Sequence, residues 1–472
     1  MLKKITSLLI LFTIFINSSF AVLNTPLITS PADVSTGNPA NTIINWYNVS
    51  GANSYEFKID TNATLIPALV QTSTSSQFAN TQLRFGTTYY WQVRALKTTG
   101  TPDSSAWTQI ISFTTFDSLN ITSPANGVLN QFPTVYLNWS NATGITNYEV
   151  QLDEVNTFNS TALLDTLIPD STSNLYVYEL RFGTVYYWRV RAMHALDTTQ
   201  WSISSFTTLD SVVLSAPLNG ASFLTPSNLL LNWDYISGIT NYQIELDKVP
   251  TFNSAALQTT IIPDSISQLI TGDLEFGANY YWRVRAWHAL DTTQWSQTWN
   301  FTTLAALTLN SPADNSINQF PNVILNWNYI TSPISYDVEF DTSASFSSPL
   351  YFYATNDTVS EHQTSELLFG TKYYWRARAH NSVDTSQWSG TWSFTTIDNL
   401  NLVSPLNGAV NIPTRVTLNW SFISGITGYD VRIDTSANYS SALAAFYSPT
   451  NSNQQVLNLY FGTKYYWSVK CG

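Results

Sequence analysis

The 472-residue chain has almost no cysteine and little charge of either sign. Its one cysteine, Cys471, cannot form an intrachain disulfide, so stability has to come from hydrophobic cores. Charged residues make up 11% of the chain and the formal net charge is −12, so the surface would repel a polyanion and nucleic acid is excluded as a partner. Beyond the N-terminus, no apolar run approaches the about 20 residues that a transmembrane helix needs.

Residue combinations that carry catalysis or hold a metal are missing as well. No Ser-His-Asp, Cys-His or phosphate-binding glycine-rich pattern occurs. His194, His288 and His380 each stand near one Asp, whereas a metal site needs three or four converging ligands. We interpret these histidines as loop residues beside a turn-forming Asp. The sequence therefore predicts no catalytic residue, no cofactor-binding residue and no metal ligand.

The first 21 residues have the features of an export signal. Lys3 and Lys4 precede an apolar stretch, Ile5–Ile16, and small residues follow at Ser19 and Ala21. We predict cleavage after Ala21 and a secreted or cell-surface location. A secreted β-protein without disulfides is more typical of bacteria than of animals, so we also expect a bacterial origin.

One sequence unit recurs five times with a period of 93 or 94 residues. This period is the length expected of one small β-sandwich. Each copy carries an Asn-Trp pair and, further on, a Tyr-Tyr-Trp triplet. The tryptophans of the pair are Trp46, Trp139, Trp233, Trp327 and Trp420, and those of the triplet are Trp91, Trp188, Trp282, Trp375 and Trp467.

Within each unit, apolar residues follow the two-residue period of a half-buried strand. Tyr148, Val150 and Leu152, for example, are separated by single polar residues. No useful 3.6-residue pattern appears, so the class is all-β. We assign a signal peptide to 1–21, complete repeats to 24–116, 117–209, 210–304 and 305–397, and an incomplete fifth repeat to 398–472.

The repeats resemble the fibronectin type III family. Residues 180–186, Leu-Arg-Phe-Gly-Thr-Val-Tyr, are similar to its Leu-x-Pro-Gly-Thr-x-Tyr pattern, with Phe182 in place of the usual proline. The resemblance implies tandem immunoglobulin-like sandwiches in which the Asn-Trp tryptophans are core residues of strand B and the Phe-Thr-Thr runs form strand G. It also implies a tyrosine corner, a hydroxyl bonded to an upstream backbone group, at Tyr89, Tyr186, Tyr280, Tyr373 and Tyr465.

The lengths of the connecting segments lead to two further expectations. Three residues such as Leu209-Asp-Ser211 join one repeat to the next, which predicts an elongated string of repeats that unfold nearly independently. Only five residues follow Trp467, whereas in repeats two to four 20 or 21 residues lead from the same tryptophan to the end of strand G. The fifth repeat thus lacks its strand G, and we expect the natural chain to continue.

Tryptophans before and within strand G offer the remaining candidate site. Two interpretations are open: they stack on outward-facing arginines, or they form a platform for pyranose rings. Recurrence in several units favours stacking, because such a pair would stabilise any sandwich that carries it. The residues concerned are Trp295, Trp299, Trp388, Trp392, Arg283 and Arg285.

Taken together, these features predict a non-enzymatic extracellular spacer or adhesion module. The alternative is the accessory, carbohydrate-binding region of a larger secreted hydrolase. Glycans or extracellular proteins are the partner classes that either function would use, and the sequence does not choose between them.

Overall fold

The computed structural model describes residues 23–66, 69–79, 83–100, 102–330, 335–347, 351–355, 359–365, 367–398, 400–423, 426–440, 444–448, 451–456 and 458–471. The predicted signal peptide, 1–21, lies outside these residues. All the regular elements in the described ranges are β-strands, which confirms the all-β class. Nowhere in these ranges is there a helix long and apolar enough to cross a membrane.

The chain divides into two compact units. The first comprises Met1–Ser211, Ile236–Ile239 and Trp287–Thr293, and its strands belong to repeats 1 and 2. Repeat 1 contains β1 (Ile28–Ser30), β2 (Ser35–Asn38), β3 (Ile43–Trp46), β4 (Ser54–Asp60), β5 (Leu69–Ser73), β6 (Gln77–Ala79), β7 (Thr88–Lys97), β8 (Asp103–Ser104) and β9 (Ile111–Thr115). Repeat 2 contains β10 (Ile121–Ser123), β11 (Val128–Gln131), β12 (Val135–Trp139), β13 (Asn147–Asp153), β14 (Leu164–Pro169), β15 (Asn174–Val177), β16 (Val185–His194), β17 (Asp197–Thr198) and β18 (Ser202–Thr208).

Both repeats of this unit are built from two sheets. The smaller sheets have the orders β1-β3-β6 and β10-β12-β15. The larger ones have the orders β2-β9-β7-β4-β5, with β8 on β7, and β11-β18-β16-β13-β14, with β17 on β16. Neighbouring strands run antiparallel, except that β2 lies parallel to β9 and β11 parallel to β18.

The second unit comprises Val212–Tyr235, Thr240–Ala286 and Gln294–Gly472. Repeat 3 contributes β19 (Leu214–Ala216), β20 (Ala221–Leu224), β21 (Leu230–Trp233), β22 (Asn241–Asp247), β23 (Gln258–Pro263), β24 (Gln268–Ile270), β25 (Asn279–Trp287) and β26 (Trp299–Thr303). Repeat 4 contributes β27 (Leu309–Ser311), β28 (Ser316–Gln319), β29 (Ile324–Trp327), β30 (Ser335–Asp341), β31 (Tyr351–Thr355), β32 (Glu361–Gln363), β33 (Lys372–His380) and β34 (Trp392–Thr396). Repeat 5 contributes β35 (Leu402–Ser404), β36 (Val416–Trp420), β37 (Tyr429–Asp434), β38 (Ala444–Ser448), β39 (Asn453–Val456) and β40 (Tyr466–Cys471).

The second unit repeats the same strand arrangement. Repeat 3 has the sheets β19-β21-β24 and β20-β26-β25-β22-β23, and repeat 4 has β27-β29-β32 and β28-β34-β33-β30-β31. Over the described residues of repeat 5, the sheets are β35-β36-β39 and β38-β37-β40. The tandem β-sandwich architecture that the sequence predicts is thus confirmed.

Each repeat is built around the alternation read from the sequence. Trp188, Val190 and Ala192 on β16 are completely buried, while the residues between them face outward. In all five repeats the Asn-Trp tryptophan meets a tyrosine of the next long strand edge-on, with ring centroids 5.3–5.4 Å apart. Such edge-to-face pairs stabilise a core beyond the area they bury.

The cores also extend across boundaries between neighbouring repeats. Ala40 and Phe85 of repeat 1 belong to the hydrophobic core of repeat 2. Phe276 and Leu304 of repeat 3 pack against the core of repeat 4. Repeats 1 and 2, and repeats 3 and 4, therefore share packing, while nearly independent unfolding of the repeats stays a prediction.

Candidate functional site

The junction between repeats 1 and 2 joins two backbone groups of the first repeat to two side chains of the second. The Phe85 N–H donates to the Asp197 carboxylate at 3.0 Å, and His194 Nε2 lies 3.0 Å from the Leu83 carbonyl oxygen. The Leu196 N–H donates to His194 Nδ1, so Nε2 carries the ring proton and donates to Leu83. The rings of Phe85 and His194 are in contact, with centroids 4.6 Å apart.

The same contacts recur in the first unit one repeat further along. The Phe182 N–H donates to Asp291 at 2.9 Å, and His288 Nε2 lies 2.9 Å from the Leu180 carbonyl oxygen. The Phe182 and His288 rings are 4.8 Å apart. His288 follows β25 directly, His194 ends β16, and both rings are buried. His288 is thus a loop residue beside a turn-forming Asp, as predicted, whereas His194 ends a strand; the bond that each makes to the preceding repeat was not predicted.

In the second unit, an asparagine takes the place of the histidine. The Phe276 N–H donates to Asp384 at 2.9 Å, and Asn381 Nδ2 donates to the Leu274 carbonyl oxygen at 2.9 Å. His380, one position earlier, contacts Ser335 of its own repeat instead. What the three junctions share is thus a neutral side-chain N–H donor and a carboxylate acceptor.

The phenylalanine at the usual proline position now has a physical explanation. Proline has no backbone N–H, so it could not donate to Asp197, Asp291 or Asp384. Phenylalanine supplies that donor and adds a ring that the next repeat covers. The departure from the family pattern was visible in the sequence, but its partner Asp lies about 110 residues away.

The linkers and one close backbone approach complete the first junction. The Gln200 N–H donates to the Asp117 carbonyl oxygen of the linker at 2.9 Å. Gly144 has a φ of +77°, and a Cβ there would stand 2.6 Å from the backbone nitrogen of Asn41 in the preceding repeat. Only glycine fits that conformation and that approach. In the second unit, the Gln387 N–H donates to the Ala305 carbonyl oxygen in the same way.

A ladder of arginines and aromatic rings covers the outer face of the larger sheet. In repeat 3, Trp295 lies under both Arg283 and Arg285, with guanidinium carbons 4.3 and 4.5 Å from its ring centroid. Phe252 covers the other side of Arg283 at 4.0 Å, and Glu245 accepts two hydrogen bonds from that guanidinium. The Arg283 guanidinium therefore stacks on two rings and also pairs with the Glu245 carboxylate, so cation–π stacking and charge attraction act on the same group.

The same ladder appears in three other repeats. Trp388 lies under Arg376 and Arg378, Trp201 under Arg189 and Arg191, and Trp107 of repeat 1 under Arg94 and Lys58. Four rings of these ladders were not predicted from the sequence: Trp107 and the phenylalanines that stack on an arginine, Phe158, Phe252 and Phe346. Each of those phenylalanines has a φ near +50°, an outlier for a bulky residue that packing on the arginine holds in place.

Trp299 and Trp392 do not take part in arginine stacking, which corrects that part of the prediction. Trp299 pairs directly with Trp282 across β26 and β25, so both point to the same, inner side of the sheet. Their rings meet edge-on at 6.2 Å, and Trp392 meets Trp375 in the same way at 6.4 Å. Three residues separate Trp295 from Trp299, and β26 begins at Trp299.

All five residues proposed for the tyrosine corner accept a backbone N–H from the residue five positions earlier. The distances are 2.8–3.1 Å, and the tyrosines are Tyr89, Tyr186, Tyr280, Tyr373 and Tyr465. Burial raises the pKa of Tyr186 to about 12 and raises the pKa of Tyr89 and Tyr280 in the same direction. The five Asn-Trp tryptophans, Trp46, Trp139, Trp233, Trp327 and Trp420, are no more than 3% exposed.

One Asp recurs at the end of β4, β13, β22, β30 and β37, and in repeat 3 it accepts the hydrogen bonds that hold the following turn. Asp247 accepts hydrogen bonds from the Ser254 N–H and hydroxyl and from the Lys248 N–H. Burial opposes ionisation, but these hydrogen bonds outweigh it and lower the pKa of Asp247 below its ordinary value. Across the residues that the structure describes, no three His, Cys, Asp or Glu side chains are grouped as a metal site would require.

Comparison with known proteins gives no relative by sequence: no family model matches, and no curated protein matches. Among solved structures, the chain is similar to the FN1–FN3 domains of chicken CNTN1, at 16% identity over 60% of this chain and 98% of that one, with a TM-score of 0.19. It is also similar to a two-domain fibronectin type III segment of chicken tenascin, at 14% identity over 40% of this chain and 98% of that one, with a TM-score of 0.20. Similarity at this level carries no functional argument.

The strand arrangement itself defines the class. Four repeats pair a three-stranded sheet with a larger one, and the tyrosine corner stands at the start of the same long strand in all five. These are features of the immunoglobulin-like sandwich of the fibronectin type III kind. The chain is a tandem array of such repeats.

Proposed function

We propose that the chain is a non-enzymatic extracellular spacer, exported after cleavage at Ala21, in which paired junction contacts fasten one repeat to the next. The observation that supports it most is the junction itself. A side-chain donor and a carboxylate fix two backbone groups of the preceding repeat at two junctions of the first unit and one of the second. A flexible string would need no such paired contacts.

The arginine ladder supports the spacer role within the four repeats that carry it. Trp295 is in contact with two guanidinium groups of its own repeat, so its ring stabilises the sheet that carries them. In a chain without disulfides, such a ladder adds stability to each sandwich. The proposal therefore assigns the recurring tryptophans to stabilisation and not to sugar binding.

The orientation of repeats 3 and 4 tests the proposal in the full chain. Spin labels at the exposed strand positions Thr259 and Glu361 would report the distance between these repeats, after Cys471→Ala removes the native thiol. We expect one narrow distance distribution for the parent chain. Removing the donor and the acceptor together, Asn381→Ala with Asp384→Ala, should broaden it, because the Leu274 carbonyl and the Phe276 N–H lose their partners.

His380→Ala is the matched control, because it removes a ring next to Asn381 that contacts only Ser335 and Asp337 of its own repeat. It should leave the distribution narrow. A parent distribution already as broad as that of the double variant would show that the junction does not fix orientation, and the spacer proposal would fail.

A further inference from the structure

Three tyrosines form an exposed cluster on the outer face of the smaller sheet of repeat 2. Tyr136 on β12, Tyr176 on β15 and Tyr178 just beyond it are 56%, 46% and 64% exposed. The rings of Tyr136 and Tyr176 lie 4.8 Å apart, and those of Tyr176 and Tyr178 lie 6.1 Å apart with planes inclined by 28°. The three rings thus form a continuous aromatic strip that faces solvent.

This tyrosine strip is confined to repeat 2, unlike the ladder and the tyrosine corner. Tyr136 and Tyr176 face each other across the strand pair. The residues in the same register of the other repeats are not aromatic: Ile43 and Ala79, Leu230 and Ile270, Ile324 and Gln363, and Thr417 and Gln455. A feature that four equivalent sheets lack is not needed to build the sandwich.

The size and charge of the strip select the kind of ligand. Three aromatic side chains of about 200 Å² each, roughly half exposed, leave about 300 Å² open, well below the about 800 Å² that a protein partner usually covers on one side. The strands of this sheet, Ile121–Ser123, Val135–Trp139 and Asn174–Val177, contain no charged residue. A small, uncharged, flat ligand fits such a surface, and a net charge of −12 disfavours an anionic one.

We propose that the tyrosine strip of repeat 2 binds a neutral polysaccharide. The apolar faces of two or three successive sugar rings stack on Tyr136, Tyr176 and Tyr178, and the phenol hydroxyls are exposed for hydrogen bonds to sugar hydroxyls. None of the three tyrosines is among the junction residues described above, so the strip gives one repeat of the array a binding role that the spacer function does not require.

Retention of the full chain on insoluble neutral polysaccharides tests the proposal. Cellulose, chitin, starch granules and mannan serve as probes, and we expect at least one of them to retain the chain. The variant Tyr136→Thr with Tyr176→Gln introduces the pair that repeat 5 carries in the same register, so the sheet should tolerate it. We expect it to weaken binding at least tenfold, since two of the three stacking rings are gone.

Leu230→Thr with Ile270→Gln makes the same replacement at the same register of repeat 3 and should leave binding unchanged. Should the first variant fail to fold, Tyr178→Ser, outside β15, removes one ring without touching the strand. The proposal is overturned if no probe retains the parent chain, or if the tyrosine variants bind as tightly as the parent. Self-association of the parent that Tyr136→Thr with Tyr176→Gln abolishes, seen by sedimentation velocity, would assign the strip to a second copy instead and also overturn it.

Discussion

Replacing Phe85 by alanine should uncouple repeats 1 and 2 while leaving each sandwich folded. Phe85 is 6% exposed, because His194 and the core of repeat 2 cover its ring. Burial of roughly 150 Å² of ring at about 25 cal/mol per Å² corresponds to about 4 kcal/mol, and measured losses for buried phenylalanines are about 3–5 kcal/mol. Because the ring reaches into the neighbouring repeat, we expect most of this loss in the free energy that couples the two repeats.

Hydrogen exchange of the full chain measures that coupling locally. The backbone N–H of residue 85, which the substitution keeps, donates to the Asp197 carboxylate of repeat 2, so its protection depends on the closed junction. A loss of about 3 kcal/mol should speed its exchange about 100-fold in Phe85→Ala. Phe461 has the same position in repeat 5 but is 91% exposed, so Phe461→Ala is the matched control and should change nothing. Unchanged exchange of the residue 85 N–H in Phe85→Ala would refute the coupling argument.

Three further predictions concern single repeats. Trp295→Ala should lower the free energy of unfolding of repeat 3 by about 1–3 kcal/mol in denaturant titrations, since two guanidinium groups lose their ring, and Trp295→Phe should restore part of it. Asp247→Asn should also destabilise repeat 3. Because the pKa of Asp247 is lowered in the folded state, the difference in the free energy of unfolding between parent and variant should be full near neutral pH. It should shrink as the pH falls through the ordinary range of an Asp. The pKa of Tyr186 is raised to about 12, so its contribution to the stability of repeat 2 should be full below about pH 10 and be lost as the pH rises towards about 12. Thermal melts should show this loss in the parent and not in Tyr186→Phe.

The local features of the fold were predictable because they depend on residues close together in the sequence. The two-residue alternation of Trp188, Val190 and Ala192 fixes which side of β16 is buried. The tyrosine corner joins residues five positions apart, so Tyr186 and Arg181 could be assigned from one short motif. In both cases a single repeat contains everything that the inference needs.

The junction could not be predicted, because its two halves lie about 110 residues apart and neither half is unusual alone. Phe182 looked like a tolerated substitution for proline, and Asp291 like a turn residue. Trp299 was misplaced for a related reason: nothing in Trp-Ser-Gln-Thr-Trp tells which of the two rings precedes the strand and which lies on its inner side. A change of face over four residues depends on where β26 begins, and boundaries are the least certain part of a sequence reading.

Different groups make the contacts inside a repeat and the contacts between repeats. Stability inside a repeat comes from groups that stay within it, such as Arg283 between Phe252 and Trp295. Contacts between repeats come from groups that cross the boundary, where Asn381 takes the place that His288 has one junction earlier. Both side chains donate one neutral N–H to a carbonyl, and they differ in size, aromaticity and the capacity to titrate. What both junctions keep at that position is therefore a hydrogen-bond donor to the carbonyl of the preceding repeat.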